Sequence, residues 1–468
     1  MNVPSVFASR MRRLLGSEFA AFFEPWEQPL CTRGIRVNTL KTSASQLLEI
    51  LSFPLSPVPF SQNGFVTDTP FRAGRDPLHH AGAYYVQEPS AMSAVTVLAP
   101  TPGERILDMC AAPGGKSTQI AAALQGDGLL WSNEYVPARA RILLQNMERC
   151  GVRNGVVSCG DTALLADALP GFFDAVLVDA PCSGEGMFRK EPEAIADWSE
   201  QTIGLCANRS REILDNAAQC VRPGGRLVFS TCTFAPEENE GAVLRFLHDH
   251  PDYTLVKIDA PFGRPAFDID RIRPFISSDL YPFTESVDTT HCRRIFPIDG
   301  GEGHFIALFY RAPDNASVTQ PFTPSPKDPY ADSARTLYAD CFADTPHGTF
   351  ATFGTTVRLL PPLFPAVRGV TILNAGIPVA ELCGERTKRL EPTHAVFQAA
   401  MRDNCRRVAD LPLSDPRLTA FLHGEEIPVD VNGYTGVAVN GILTGFGKAT
   451  DGRLKNRYPK GLRLIHTR

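Results

Sequence analysis

No stretch of this sequence approaches the roughly 20 consecutive apolar residues of a membrane-spanning helix, and none of its 12 cysteines forms a Cys-x-x-Cys pair. The first absence argues for a soluble globular chain with no membrane partner. The second, with the cysteines scattered over 468 residues, argues against a disulfide scaffold and against a structural zinc site, so no metal is expected. Residues 1–25 lack the apolar core of a secretory signal: Arg10, Arg12 and Arg13 are followed by the acids Glu18 and Glu24. A cytoplasmic location is the default expectation. There is no internal repeat and no low-complexity block. The net charge of −5 excludes a uniformly basic chain, yet it hides an asymmetry: Lys448 to Arg468 carries seven Lys or Arg against the single acid Asp451. Such a tail suits phosphate backbones.

Two nucleotide motifs are also missing. A P-loop needs a glycine five residues before its Gly-Lys-Ser, and Gly115-Lys116-Ser117 has Cys110 there; Gly114-Gly115-Lys116 does not supply Gly-x-Gly-x-x-Gly either. What is present is Arg105-Ile-Leu-Asp-Met-Cys-Ala-Ala-Pro-Gly-Gly-Lys-Ser-Thr-Gln119. It reads as a short strand, a small-residue turn and a helix start, where glycines admit a ligand and free N–H groups point at it. Asp108 ends that strand, and Glu134 ends the next, about 20 residues past the glycines, where an acid binds ribose hydroxyls. A nucleoside without a phosphate cradle suggests S-adenosyl-L-methionine.

The rest of the chain is organised around this unit. An amphipathic pattern from Phe7 to Phe23 is followed by Gly34-Ile-Arg-Val-Asn-Thr-Leu-Lys41, an alternating strand whose Arg36, Asn38 and Lys41 suit phosphate or base contacts, or else lie solvated on an edge. From about residue 81 strands and helices alternate: Leu129–Asn133, Arg139–Cys150, Gly155–Ser158, Ala175–Asp179, Thr202–Cys220, Arg226–Thr231 and Phe305–Tyr310. This predicts an α/β, doubly wound, mostly parallel sheet, with ligands beyond the carboxyl ends of its strands. The domains read as an N-terminal extension over 1–80, the α/β domain over 81–311, a Pro-rich linker over 312–330, an α+β module over 331–395 and a basic module over 396–468.

Two strand ends carry the chemistry. One runs Asp179-Ala-Pro-Cys-Ser-Gly184 and the other Ser230-Thr-Cys-Thr233. In a sheet of this kind the strands are neighbours, about 5 Å apart, so Cys182 and Cys232 would face one crevice. A pair of thiols there suits methylation of a carbon such as cytosine C5. Thiolate addition at C6 enriches the ring, an acid stabilises ring N3, and a base later removes the C5 proton. Asp179, held protonated, is placed for the N3 role, and Lys190 or the sulfonium itself would favour the thiolate. Methylation of an amide or of an adenine amine fits less well, because Asp179-Ala-Pro-Cys182 lacks the aromatic platform of those enzymes. Spacing alone does not rank the thiols, since DNA cytosine methyltransferases use the cysteine of a Pro-Cys motif.

Asp108–Ser117, Asp179–Gly186 and Ser230-Thr-Cys-Thr-Phe-Ala-Pro-Glu-Glu-Asn-Glu240 resemble the RNA cytosine-C5 methyltransferases of the NOL1/NOP2/Sun family, across roughly residues 30–310. The resemblance implies a Rossmann-like methyltransferase that uses S-adenosyl-L-methionine. It implies Cys232 as the nucleophile and Cys182 as the group that assists release. It also implies cofactor contacts by Cys110, Ala111, Ala112, Pro113, Gly114, Gly115, Lys116, Glu134, Arg139, Asp161 and Asp179. Ala83–Met92 looks like the junction to an RNA-binding extension. Gly445–Arg463 is similar to the tail of the bacterial small-subunit rRNA methyltransferases of the F type, with a PUA-like module. RNA contacts are accordingly expected from Arg36, Asn38, Lys41, Lys190, Lys448, Arg453, Lys455, Arg457 and Lys460. The expected partner is 16S rRNA or the small ribosomal subunit, met by a monomer and with its target cytosine swung out of the stack. The alternatives are the same reaction on tRNA, or a non-catalytic rRNA assembly factor, which would be expected to have lost a thiol or an acid from the pocket.

Overall fold

The computed structural model describes residues 3–27, 33–314, 328–384 and 389–464. Most of the expected Pro-rich linker, residues 315–327, lies outside them. At the centre is a ten-stranded sheet. Its main strands are β1 (Arg105–Asp108), β2 (Leu129–Glu134), β3 (Gly155–Cys159), β4 (Phe173–Asp179), β5 (Val221–Thr231), β6 (His304–Arg311) and β7 (Ile372–Ala375), in the spatial order β6-β5-β4-β1-β2-β3-β7. Strands β5-β4-β1-β2-β3 are parallel, and β6 and β7 close the two sides antiparallel. The chain therefore reverses its direction of travel across the sheet at β1, with β4 on one side and β2 on the other. A doubly wound sheet opens its ligand crevice at that point.

The central strands are near-continuous apolar runs because both of their faces are covered. Leu107, Trp131, Val176, Val178 and Phe229 point into one core, while Ile106, Leu130, Ala175, Leu177 and Val228 point into the other. Alternate residues of one strand serve opposite faces. The helices that matter for the site are α1 (Gly115–Leu124), α2 (Pro137–Arg149), α3 (Glu200–Cys220) and α4 (Glu240–Asp249).

The two ends of the chain pack against one another. The strand Arg33–Val37 lies inside a four-stranded antiparallel sheet, between Gly64–Thr67 and Tyr84–Val86, so it is not an edge. Its Ile35 and Val37, with Tyr84, share one apolar core with Leu418, Phe421, Val437 and Leu454 from the C-terminal sheet. The span 331–395 also reaches the central sheet. Its Ile372–Ala375 is β7, which pairs with the otherwise open edge of β3, and its Phe364 stacks on Trp131. The N-terminal helices Ser5–Leu15 and Phe19–Phe23 pack Phe7 and Phe22 against Phe188, Trp198, Phe234 and Phe296, beside the ends of β4 and β5.

This packing corrects three expected RNA contacts. Arg36 is buried; its guanidinium donates to the Gln87 and Gln119 side chains, to the Gly115 carbonyl and to Thr118, at the first turn of α1. Asn38 is buried and donates to the Gly82 and Cys150 carbonyls. Lys41 is buried where the N-terminal, central and C-terminal parts meet, donating to the Gln398 and Leu443 carbonyls. The polar residues of an alternating strand face a second layer of protein here, where water was expected. Among the described residues no helix is long and apolar enough to cross a membrane.

Burial, reinforced by Arg153, lowers the Lys41 ammonium to about 7 from its ordinary 10.5. Between those values the unfolded chain binds more protons at this site than the folded one, so the Lys41 contribution makes stability rise with pH. It weighs most against folding below about 7 and disappears above 10.5. Urea melts of the parent and of Lys41→Met across this window should show the parent gaining on the variant as pH rises. A constant difference would contradict a buried, titrating amine.

Candidate active site

Strand β1 delivers Asp108 to the crevice fully buried, with Oδ2 accepting from Ser117 at 2.6 Å and Oδ1 without a hydrogen-bond partner among the described residues. Burial pushes this carboxyl up to about 7, against the pull of the Ser117 hydroxyl. The chain then turns through Cys110 to Gly114 into α1. Gly114 has φ +111°, a conformation that L side chains rarely adopt, and an added Cβ would sit 3.2 Å from Leu143. No side chain caps α1, which leaves the first backbone N–H groups of the helix facing the crevice. Arg139 of α2 donates to the Ala112 carbonyl at 2.9 Å and stands 3.6 Å from Glu134, so it joins the turn to the end of β2. Asp161, just beyond β3, caps the helix Thr162–Ala168 through the Ala163 N–H.

At the β4 end, Asp179 Oδ2 lies 2.6 Å from Lys116 Nζ, and Oδ1 accepts from Ser230 Oγ at 2.7 Å. Burial alone would raise Asp179, but Lys116, His304 and Ser230 outweigh it and hold the carboxyl below its ordinary range. This corrects the expectation of a protonated Asp179: an ion pair stands there. His304, on β6, is buried with Nε2 4.0 Å from Asp179 Oδ1. Burial and Lys116 bring the imidazole down to about 4, so it is neutral near pH 7. Sequence reasoning placed a strand at Phe305–Tyr310 but missed His304, because nothing in Gly-His-Phe-Ile-Ala shows that this strand returns antiparallel beside the site. Lys190 is half-buried near Glu302; the cation whose field reaches Cys232 is Lys116.

The two thiols meet. Cys182 Sγ and Cys232 Sγ are 3.3 Å apart, both partly exposed. The hydrogen bond to Cys232, burial and the charge of Glu238 together raise the Cys182 thiol well above its ordinary range. The turn after Cys182 crosses directly over the strand that carries Cys232, with Gly186 N–H donating to the Cys232 carbonyl at 2.8 Å. A Cβ at Gly186 would stand 2.8 Å from that oxygen, so only glycine permits the crossing. Lys448, Arg453, Lys455, Arg457 and Lys460 are far along the chain from the crevice and are exposed on the C-terminal module. Lys448 and Lys455 are direct cross-strand partners, and Arg457 also reaches Glu391 at 3.1 Å.

With this geometry, comparison with known proteins is informative. The family model described as 16S rRNA methyltransferase RsmB/F matches residues 95–309. The N-terminal domain of 16S rRNA methyltransferase RsmF matches 3–89, and the methyltransferase RsmF PUA domain matches 408–464. The chain is 39% identical over 263 residues to the ribosomal RNA small subunit methyltransferase F of Escherichia fergusonii and to that of Escherichia coli O127:H6. Each match covers 53% of this chain and 54% of the relative, so the chain spans about half the length of these curated relatives. Among solved structures, a methyltransferase homolog protein from Pyrococcus horikoshii is 31% identical with a TM-score of 0.55, covering 66% of this chain and 95% of its own. NSun6 from Pyrococcus horikoshii, at 22% identity and TM-score 0.56 over 66% of this chain and 99% of its own, shares the fold.

The 3.3 Å approach of the sulfurs has a direct solution test. Treatment with the thiol oxidant diamide should join Cys182 to Cys232, with one cross-linked peptide pair found by mass spectrometry and reversed by dithiothreitol. Recovery of both thiols free would show that they do not meet in solution.

Proposed function

This chain belongs to the 16S rRNA methyltransferase RsmB/F family, and from that premise we propose that it transfers a methyl group from S-adenosyl-L-methionine to C5 of a cytosine in 16S rRNA. The observation that carries the reading is the pair of sulfurs at the ends of β4 and β5, beside an ion pair that faces the same crevice. The residues present fit a cationic nucleoside. Asp108, Glu134, Asp161 and Asp179 line successive strand ends, Asp108 Oδ1 is buried without a partner among the described residues, and α1 begins without a side-chain cap. Cys110, Ala111, Ala112, Pro113, Gly114, Gly115, Lys116, Glu134, Arg139, Asp161 and Asp179 would hold it. When bound, it supplies an electrophilic methyl group.

The chain's own residues then divide the work. Cys232 Sγ, having given its proton to solvent, bonds to C6 of the cytosine and pushes electron density onto C5 and towards the N3/O2 edge, where Lys116, fixed by Asp179, meets the growing negative charge. After methylation Cys182 first gives its own proton to solvent and then, as the thiolate, takes the C5 proton. The C5–H electrons form the C5–C6 double bond, the C6–S bond breaks, and Cys232 leaves as the thiolate. Cys182 and Cys232 are close enough to act on adjacent ring carbons of one base.

RNA is held elsewhere. Lys448 and Lys455 stand opposite one another on neighbouring strands, an arrangement that costs stability and suits a phosphate backbone lying over both. Arg453, Arg457 and Lys460 extend that basic surface, while Lys190 lies on the loop that follows Cys182.

Incubation with a labelled methyl donor and separated rRNA and tRNA fractions, followed by nucleoside analysis, should place label in 5-methylcytidine of 16S rRNA. Label in tRNA alone would move the substrate, and label in another nucleoside would end the reading. Cys232→Ala should abolish transfer, whereas Cys182→Ala should accumulate RNA covalently bound to protein on denaturing gels; the reverse pattern would exchange the two roles. Lys448→Glu with Lys455→Glu should weaken rRNA binding and lower the slope of log affinity against log salt by about one per lysine. An unchanged slope would remove this face from the RNA interface.

A further inference from the structure

Below the two thiols lies a carboxyl group that the reaction as described does not use. Glu238 is completely buried and, among the described residues, forms no ion pair. Its neighbours in Pro236-Glu-Glu-Asn-Glu240 all have evident structural tasks. Glu237 pairs with Arg10 at 2.7 Å, Asn239 accepts from Thr231 at 2.6 Å and donates to the Thr233 carbonyl at 2.9 Å, and Glu240 pairs with buried Arg294 at 2.6 Å. Glu238 instead accepts both the backbone N–H of Ser183, at 2.9 Å, and the Ser183 hydroxyl. That hydroxyl also meets Thr233 Oγ1 at 2.8 Å. Ser183 follows Cys182 and Thr233 follows Cys232, so one carboxyl group ties together the two turns that carry the sulfurs. A buried acid without a cation is costly, and an apolar side chain would fill the space more cheaply.

We propose that Glu238 is a positioning residue for Cys182: through Ser183 and Thr233 it fixes the distance between the two sulfurs, and its charge sets how readily Cys182 gives up its proton for product release. This rests on the reading of Cys182 as the group that takes the C5 proton. The titratable groups that bear on Glu238 are Glu185, Glu237, Cys182 and, from α3, Cys206. The positive charges that bear on this cluster are Arg10, held by Glu237 and Glu200, and Arg209 beside Cys206. Burial, with Glu185 and Glu237, raises Glu238 to about 8 in spite of its bonds from Ser183. Near pH 7 the carboxyl is therefore mostly neutral. Above about 8 it is charged and opposes ionisation of Cys182.

The test follows decay of the covalent protein–RNA complex after methyl transfer, between about pH 6 and pH 10, the range spanned by these groups. Glu238→Gln keeps the size of the side chain but never carries charge. Its decay rates should coincide with the parent's below about pH 7 and exceed them above about pH 8, because no carboxylate then resists the Cys182 thiolate. Ser183→Ala keeps the charge and cuts the bridge. Its complex should form at the parent rate and persist about fivefold longer, the kinetic equivalent of one hydrogen bond. A Glu238→Gln profile superimposable on the parent's, or an unchanged Ser183→Ala lifetime, overturns the proposal; if Glu238→Gln does not fold, Ser183→Ala decides alone. Cys182→Ala run in parallel separates the two levels. Normal release there defeats the reading of Cys182 itself, while trapping there with unaltered Glu238 and Ser183 variants defeats only the role of Glu238.

Discussion

The site depends on one pairing, the parallel alignment of β4 with β5 that sets Asp179 opposite Ser230. Three residues beyond Asp179 and two beyond Ser230 the chain reaches Cys182 and Cys232, and with that register fixed the sulfurs have little choice but to meet. The register is held by more than backbone hydrogen bonds. Val176, Val178 and Phe229 serve one core and Leu177 and Val228 the other, so a slip of one residue would turn each strand's apolar set to the wrong face. Ser230 adds a direct tie by donating to Asp179, and Asp179 carries that tie on to Lys116 at the start of α1. Cys232, the ion pair and the turn that leads into α1 are thus parts of one hydrogen-bonded frame.

What the sequence made legible follows from local rules. Apolar runs of strand length between helical patterns forecast the central sheet, and the acids and thiols at the run ends marked the crevice, because strand ends are where such a sheet opens. What it concealed was tertiary. Arg36, Asn38 and Lys41 alternate with apolar residues just as solvent-facing side chains do, and only the second layer, made by α1 and by the C-terminal module, turns them inward. The charge state of Asp179 was hidden for a similar reason: an enclosed carboxyl was expected to hold its proton, but a lysine 63 residues away in sequence lies 2.6 Å from it. Glu238 could have been suspected from an acidic run placed directly after a thiol strand, although its tie to Ser183 spans 55 residues.

The shared core of the two chain ends has a functional consequence. Strand Arg33–Val37 belongs to the same packed body as the C-terminal sheet that exposes Lys448 and Lys455, and Arg36 on that strand bonds to the first turn of α1. A basic surface and the turn that leads into α1 are therefore linked through buried contacts, with no loose tether between them. Lys41, with its amine on carbonyls from Gln398 and Leu443, closes the same junction. A large folded RNA laid on that surface would meet a crevice of fixed orientation.

The central claim is that Cys232 bonds the base while Cys182 frees it. An RNA substrate carrying 5-fluorocytidine at the target position tests this most directly, since fluorine at C5 leaves no proton to remove and halts the reaction after methyl transfer. Digestion of the trapped complex and peptide sequencing by mass spectrometry should find the nucleotide on the peptide that contains Cys232. Attachment to the Cys182 peptide, or no trapped complex with an active protein, would contradict the account.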